Sequence, residues 1–219
     1  MNNTKNNTTE LVFILDRSGS MAGLESDTIG GFNAMLDKQK QQDGDAFVTT
    51  VLFDHEITTL HDRVKLSELA PLTGRDYTVR GCTALLDAIG QTVQHVRNVH
   101  RYIRPEDVPE STVFVITTDG LENASREYSS AAVKKLIEQQ KERGWEFLFL
   151  GANIDAVETA ASFGIAPDRA ANFHADRKGT KTVYKAVAEA VCGFRAAKAM
   201  PREWNREIEE DFHSRGSER

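Results

Sequence analysis

Residues 11–21 read LVFILDRSGSM. The run from Leu11 to Leu15 is too short for a helix, and it lacks the polar–apolar alternation of a half-buried strand. It predicts a strand buried on both faces, as found at the centre of a parallel sheet. Asp16, Ser18 and Ser20 follow at alternate positions, with Gly19 between the serines. In an extended loop alternate residues face the same way, so this spacing aims one carboxylate and two hydroxyls at one place. Gly19 allows the tight turn that the spacing needs.

The pattern recurs further along the chain. Thr112 to Thr118 is a second branched, apolar run that ends in an acid, Asp119, within VFVITTDG. Thr83 sits in GCTALLDA, immediately before Leu86, Ile89, Val93 and Val96, which recur at helical spacing. Ile29, Phe32 and Leu36 predict an earlier helix, and Phe47–Asp54 with Ile57–Leu60 predict a short antiparallel hairpin. Val133, Leu136 and Ile137 mark a helix, Glu146–Leu150 a strand, Ile154–Phe163 a helix and Ala170–Phe173 a strand. Val183, Val187, Val191 and Phe194 mark the last long helix.

Strands that alternate with helices predict an α/β fold. The expected form is a doubly wound, mostly parallel sheet with one antiparallel edge strand and helices on both faces. Ligands in such folds sit at the carboxyl edge, where the strand order reverses. The strands that end in Asp16 and Asp119 are expected side by side at the centre, which brings both carboxylates within reach of one ion. The domain is expected over residues 10–200, after a disordered polar tail at 1–9. A charged tail follows at 201–219, in which Trp204, Ile208 and Phe212 are spaced for a docking helix.

The chain has 219 residues and a net charge of −6 with signs interspersed, without the basic stripe of a nucleic-acid binder. No segment has the apolar length to cross a bilayer, and the N-terminus lacks a signal core. Cys82 and Cys192 are the only cysteines, which suits a reducing compartment, so a cytoplasmic location is expected.

Asp16, Ser18, Ser20, Thr83 and Asp119 are hard oxygen donors, matched to a hard divalent cation: magnesium, with manganese or calcium as alternatives. The histidines show no ligand spacing, which argues against zinc. Two carboxylates against a dication leave it able to attract a further anion. The expected completing group is an Asp or Glu side chain of another protein.

With these motifs in order, the chain resembles the von Willebrand factor A (VWA) domain family with a complete metal-ion-dependent adhesion site. The likeness covers roughly residues 10–200. It implies that Ser18 and Ser20 bind metal directly, that Asp16 and Asp119 act mainly through water, and that Thr83 does either according to state. Lacking the features of extracellular members, the chain resembles intracellular, bacterial-type ones. The family implies a non-enzymatic protein-binding module, often in assemblies that sometimes contain a MoxR-type ATPase.

Around this site Arg17 and Arg80 are expected near the mouth, either attracting an acidic partner or simply solvated. Glu122 is a candidate internal competitor for the open position. Thr83 also suits a helix N-cap, with Asp87 in the first turn. Two rival readings stand beside the binding module. One is a phosphotransferase or phosphatase of the haloacid dehalogenase type with Asp16 as nucleophile, although the acid that chemistry needs two residues later is Ser18 here. The other is a scaffold whose metal only ties its loops together.

Overall fold

In the computed structural model, which describes residues 7–216, the Leu11–Leu15 run lies within β1 (Thr8–Asp16), and every residue of that strand is buried. β1 is flanked in parallel by β2 (Asp45–Phe53) and β4 (Ser111–Thr118). β3 (Ile57–Lys65) returns antiparallel along β2, while β5 (Glu146–Ala152) and β6 (Ala170–Phe173) extend the sheet in parallel beyond β4. The strand order is β3-β2-β1-β4-β5-β6. The sheet is thus a doubly wound α/β sheet with one antiparallel edge strand, and its order reverses between β1 and β4.

Among the described residues six α-helices cover the sheet: α1 (Glu25–Lys40), α2 (Leu85–Tyr102), α3 (Ser130–Lys141), α4 (Ala156–Ser162), α5 (Arg177–Ala197) and α6 (Arg206–Gly216). Alternation along β1 divides the core in two. Leu11, Phe13 and Leu15 pack with Phe32 and Met35 of α1 and Val187 and Phe194 of α5. Val12 and Ile14 pack on the other face with Ile89 and Val93 of α2 and Ile137 of α3. α1 lies tightly against α5 because Gly31 faces Tyr184; a Cβ at Gly31 would come 2.4 Å from the Tyr184 ring.

The boundaries differ from expectation at two places, each for a local reason. Thr8 and Thr9, expected in the tail, belong to β1, where Thr9 pairs with Ala46 and Ser111. The backbone ladder, and not side-chain hydrophobicity, carries the strand past Glu10. Residues 1–6 of the expected tail lie outside the described residues. β3 runs on to Lys65 through polar residues because an edge strand has one open side on which charges stay solvated.

The charged stretch after residue 200 forms α6, which packs on α5 and β6. Trp204 and Ile208 join the core, the Trp204 indole N–H donates to the Asp168 carbonyl, and the Phe212 ring stacks on His174. The charges of α6 enter ion pairs such as the exposed Lys185–Glu207 and the Lys178–Asp211 pair, whose carboxylate is largely covered. Among the described residues no helix is long and apolar enough to cross a membrane.

Candidate metal centre

The ends of β1 and β4 meet across the point where the sheet reverses. Asp16 closes β1, and Asp119 follows the last residue of β4; both are buried, as are Ser18 and Thr83, while Ser20 opens to solvent. The Asp16 carboxylate is held from two sides. Its Oδ1 accepts from the Ser18 backbone N–H at 2.7 Å, and its Oδ2 accepts from the Thr118 hydroxyl at 2.6 Å. The Tyr77 hydroxyl donates to the Asp16 carbonyl. Ser18 Oγ lies 3.1 Å from Ser20 Oγ, which donates to Asp119 Oδ1 at 2.5 Å.

Thr83 enters from the loop before α2. A Cβ built on Gly120 would lie 3.2 Å from Thr83 Oγ1 and 3.3 Å from Ser20 Oγ, so these oxygens crowd the same space. A side chain at 120 would intrude there, which explains a glycine after Asp119. The Gly19 N–H donates to the Gly81 carbonyl, tying the first loop to the Thr83 loop. Gly81 takes a φ of +71°, and a Cβ there would strike His55 at 2.1 Å. All five oxygen-bearing side chains are therefore brought together, although the sequence separates them widely.

Two features of this cluster fit a cation. Asp119 Oδ2 is buried with no hydrogen-bond partner among the described residues, a costly state for a carboxylate oxygen unless a positive charge compensates it. Burial, with the neighbouring Asp16 charge, pushes the Asp119 carboxyl up to about 6 despite the Ser20 hydrogen bond. Burial also raises Asp16, against hydrogen bonds from Thr118 and Ser18 that favour its ionised form.

A pH dependence follows, with a definite sign. In chelator the folded chain keeps a proton on Asp119 up to about pH 6, whereas the unfolded chain gives it up near 3.8. Between these values the unfolded state binds fewer protons, so this group's contribution to stability falls as pH rises and stays low above 6. Relative to Asp119→Asn, wild type in chelator should therefore be less stable at pH 7.5 than at pH 5. Urea midpoints of the two proteins at each pH check this; an unchanged difference would place the Asp119 proton elsewhere.

A second group of potential ligand atoms, Asp54, His55 and Glu56, lies at the β2–β3 turn within 4.8 Å of one another. The fully buried Asp54 carboxylate is already occupied, with Arg17 Nε and Arg80 Nε each 2.9 Å from Oδ2. The Glu56 backbone N–H donates to Asp54 Oδ1 at 2.7 Å. A metal ion would have to displace two guanidinium charges, so this knot holds loops and not a cation. It also corrects the expectation for Arg17, while Arg80 stays exposed at the surface of the knot. Arg17 is buried and donates further to Thr58, and Arg80 also pairs with Glu56.

Glu122 is likewise no competitor for the open position. Its carboxylate accepts the backbone N–H groups of Leu86, Ala124 and Ser125 and the Ser125 hydroxyl. Asp87 accepts the backbone N–H groups of Arg126, Glu127 and Tyr128. Asn123 accepts the Thr83 N–H through its side chain, and its own N–H donates to the Thr83 carbonyl. These residues hold the loop after Asp119 against the start of α2. Asn123 and Glu122 stand just after the T-D-G triplet, and that proximity is the only sequence signal they carry. Thr83 is not the N-cap of α2; Ala84 occupies that position without a side-chain cap.

The sequence profile of a family described as "VWA domain containing CoxE-like protein" matches residues 2–180. No curated protein matches the chain. Solved structures share the fold at low identity. The vWF domain of the type V pili tip protein Mfa5 from Porphyromonas gingivalis is 11% identical with a TM-score of 0.59, and the match covers 84% of this chain and 95% of that one. Manganese-loaded TRAP from Plasmodium vivax is 18% identical with a TM-score of 0.55, covering 80% and 72%. Proximal thread matrix protein 1 from the mussel byssus, with a zinc-occupied MIDAS motif, is 13% identical with a TM-score of 0.58, covering 84% and 46%. This chain thus spans about half the length of the mussel protein.

Proposed function

The chain belongs to the family of VWA domain containing CoxE-like proteins, and from that premise we propose that it is a metal-dependent protein-binding module whose partner supplies an Asp or Glu side chain. The observation that carries this reading is Asp119 Oδ2, a buried carboxylate oxygen without a hydrogen-bond partner among the described residues, amid converged hard oxygens. Ser18, Ser20 and Thr83 would hold the ion directly, and Asp16 and Asp119 through intervening water. Hard oxygens favour magnesium, with manganese or calcium next. The manganese of the Plasmodium protein and the zinc of the mussel protein support a divalent ion in this fold. When bound, the ion supplies the positive charge that draws the partner carboxylate.

The chain's own residues do the rest. Ser18 and Ser20 offer neutral oxygens and leave that charge uncancelled. Thr118 and the Ser18 N–H keep the Asp16 carboxylate oriented, and exposed Ser20 marks the side from which a partner approaches. A binding module is favoured over a phosphotransferase because the Asp16 carboxylate is buried and hydrogen-bonded at both oxygens, a poor state for a nucleophile. We place the module in the cytoplasm, which its free Cys82 and Cys192 suit, within an assembly of the kind that contains a MoxR-type ATPase.

The test is a pull-down with the full chain in magnesium and in chelator. A partner retained only in magnesium, and competed away by free acidic peptide from that partner, is the expected result. Equal retention in both conditions would overturn the metal-dependent reading.

A further inference from the structure

At the opposite edge of the sheet, by the amino ends of β4 and β5, lies an open pocket of about 550 Å³. Arg97, His100 and Arg101 line it from one face of the last turns of α2, and Arg143 lines it from the turn between α3 and β5. The His100 side chain is only 10% exposed, and its Nε2 lies 3.3 Å from Oε2 of the fully buried Glu10, which also meets Arg63 Nε at 2.9 Å. This floor is balanced within itself. Glu110, the acid on the pocket wall, has Lys198 at 3.6 Å.

Arg97, Arg101 and Arg143 are not balanced. Among the described residues none of them has a carboxylate partner, and the Arg101 guanidinium packs only over the Tyr102 ring at 5.5 Å. The C-termini of α2 and α3 also point here and contribute roughly half a negative charge each. Three guanidinium charges less those two halves leave a surplus of about two positive charges, in a chain whose net charge is −6. A helix C-terminus accounts for one nearby cation, not for three that converge on one pocket.

We propose that this pocket binds a phosphate monoester dianion. The charge matches the surplus, and arginine forks pair with phosphate oxygens two at a time, which ammonium groups do not. The site lies at the other end of β1 from Asp16, so it is independent of the metal centre and of the function proposed for it. Two carriers present this group, a free nucleotide and a phosphorylated side chain of a partner protein.

The test is calorimetric titration of the full chain with inorganic phosphate in chelator, at constant ionic strength. The wild type should bind phosphate, and sodium chloride should not replace it. Arg97→Gln and Arg143→Gln should each weaken binding about tenfold. Both arginines lie at the surface, and circular dichroism confirms that the variants fold. Arg202→Gln, an exposed arginine outside the pocket, should bind as the wild type does. No binding by the wild type, or equal affinity in the Arg97 and Arg143 variants, would overturn the proposal. Adenosine monophosphate and a phosphoserine peptide then distinguish the carriers: whichever binds more tightly than inorganic phosphate is the source the pocket reads.

Discussion

Asp119→Ala is expected to weaken magnesium binding by about a hundredfold, while the chelated variant remains at least as stable as wild type. The two effects have opposite signs for one reason. Without a cation, Asp119 Oδ2 is buried with no hydrogen-bond partner among the described residues, beside a second buried carboxylate, and its carboxyl is pushed up to about 6. Removing it relieves that repulsion and desolvation, at the cost of the Ser20 hydrogen bond and a small void. With a cation the same carboxylate is half of the site's negative charge. Magnesium titration by calorimetry, with melting temperatures in chelator, measures both quantities. A variant that loses stability in chelator and keeps its magnesium affinity would make Asp119 a structural residue and remove the proposed site.

The second large effect is expected at Asp87, which never touches the metal oxygens. Its Oδ1 accepts the N–H groups of Glu127 and Tyr128 at 2.9 and 2.8 Å, and its Oδ2 accepts that of Arg126 at 2.7 Å. Alanine there strands all three donors in a half-buried loop, and a loss of about 3–5 kcal/mol is expected from charge-assisted bonds of this kind. Asparagine keeps one accepting oxygen and turns an amide towards the Arg126 N–H, so its cost should fall between those of aspartate and alanine. The loop it pins continues back through Asn123, which bonds Thr83, to Asp119. Magnesium affinity should therefore fall in the same order as the urea midpoint. A destabilised Asp87→Ala with unchanged magnesium affinity would show that the loop after Asp119 does not position the site.

These effects differ in how far the sequence foretells them. Asp16, Ser18, Ser20, Thr83 and Asp119 are legible because each stands beside a strand end or helix start that hydropathy marks, and the doubly wound order of elements carries such ends to one edge. Arg17, Arg80 and Glu122 show the opposite case. They stand as near the motifs as the site residues do, yet Arg17 and Arg80 are taken up by Asp54, and Glu122 by the backbone at the start of α2. Charge and position along the chain do not say which partner a side chain will find.

The sequence by itself determined the α/β alternation, the antiparallel hairpin at the sheet's edge and the identity of the converging oxygens, because burial imposes a period that each segment records locally. Tertiary structure alone decided the full strand order, the Asp54 knot and the Asp87 and Glu122 pins. Each of these depends on groups far apart in the chain meeting across loops. A carboxylate's role is set by the donors that reach it in space, and that proximity leaves no periodic trace in the sequence.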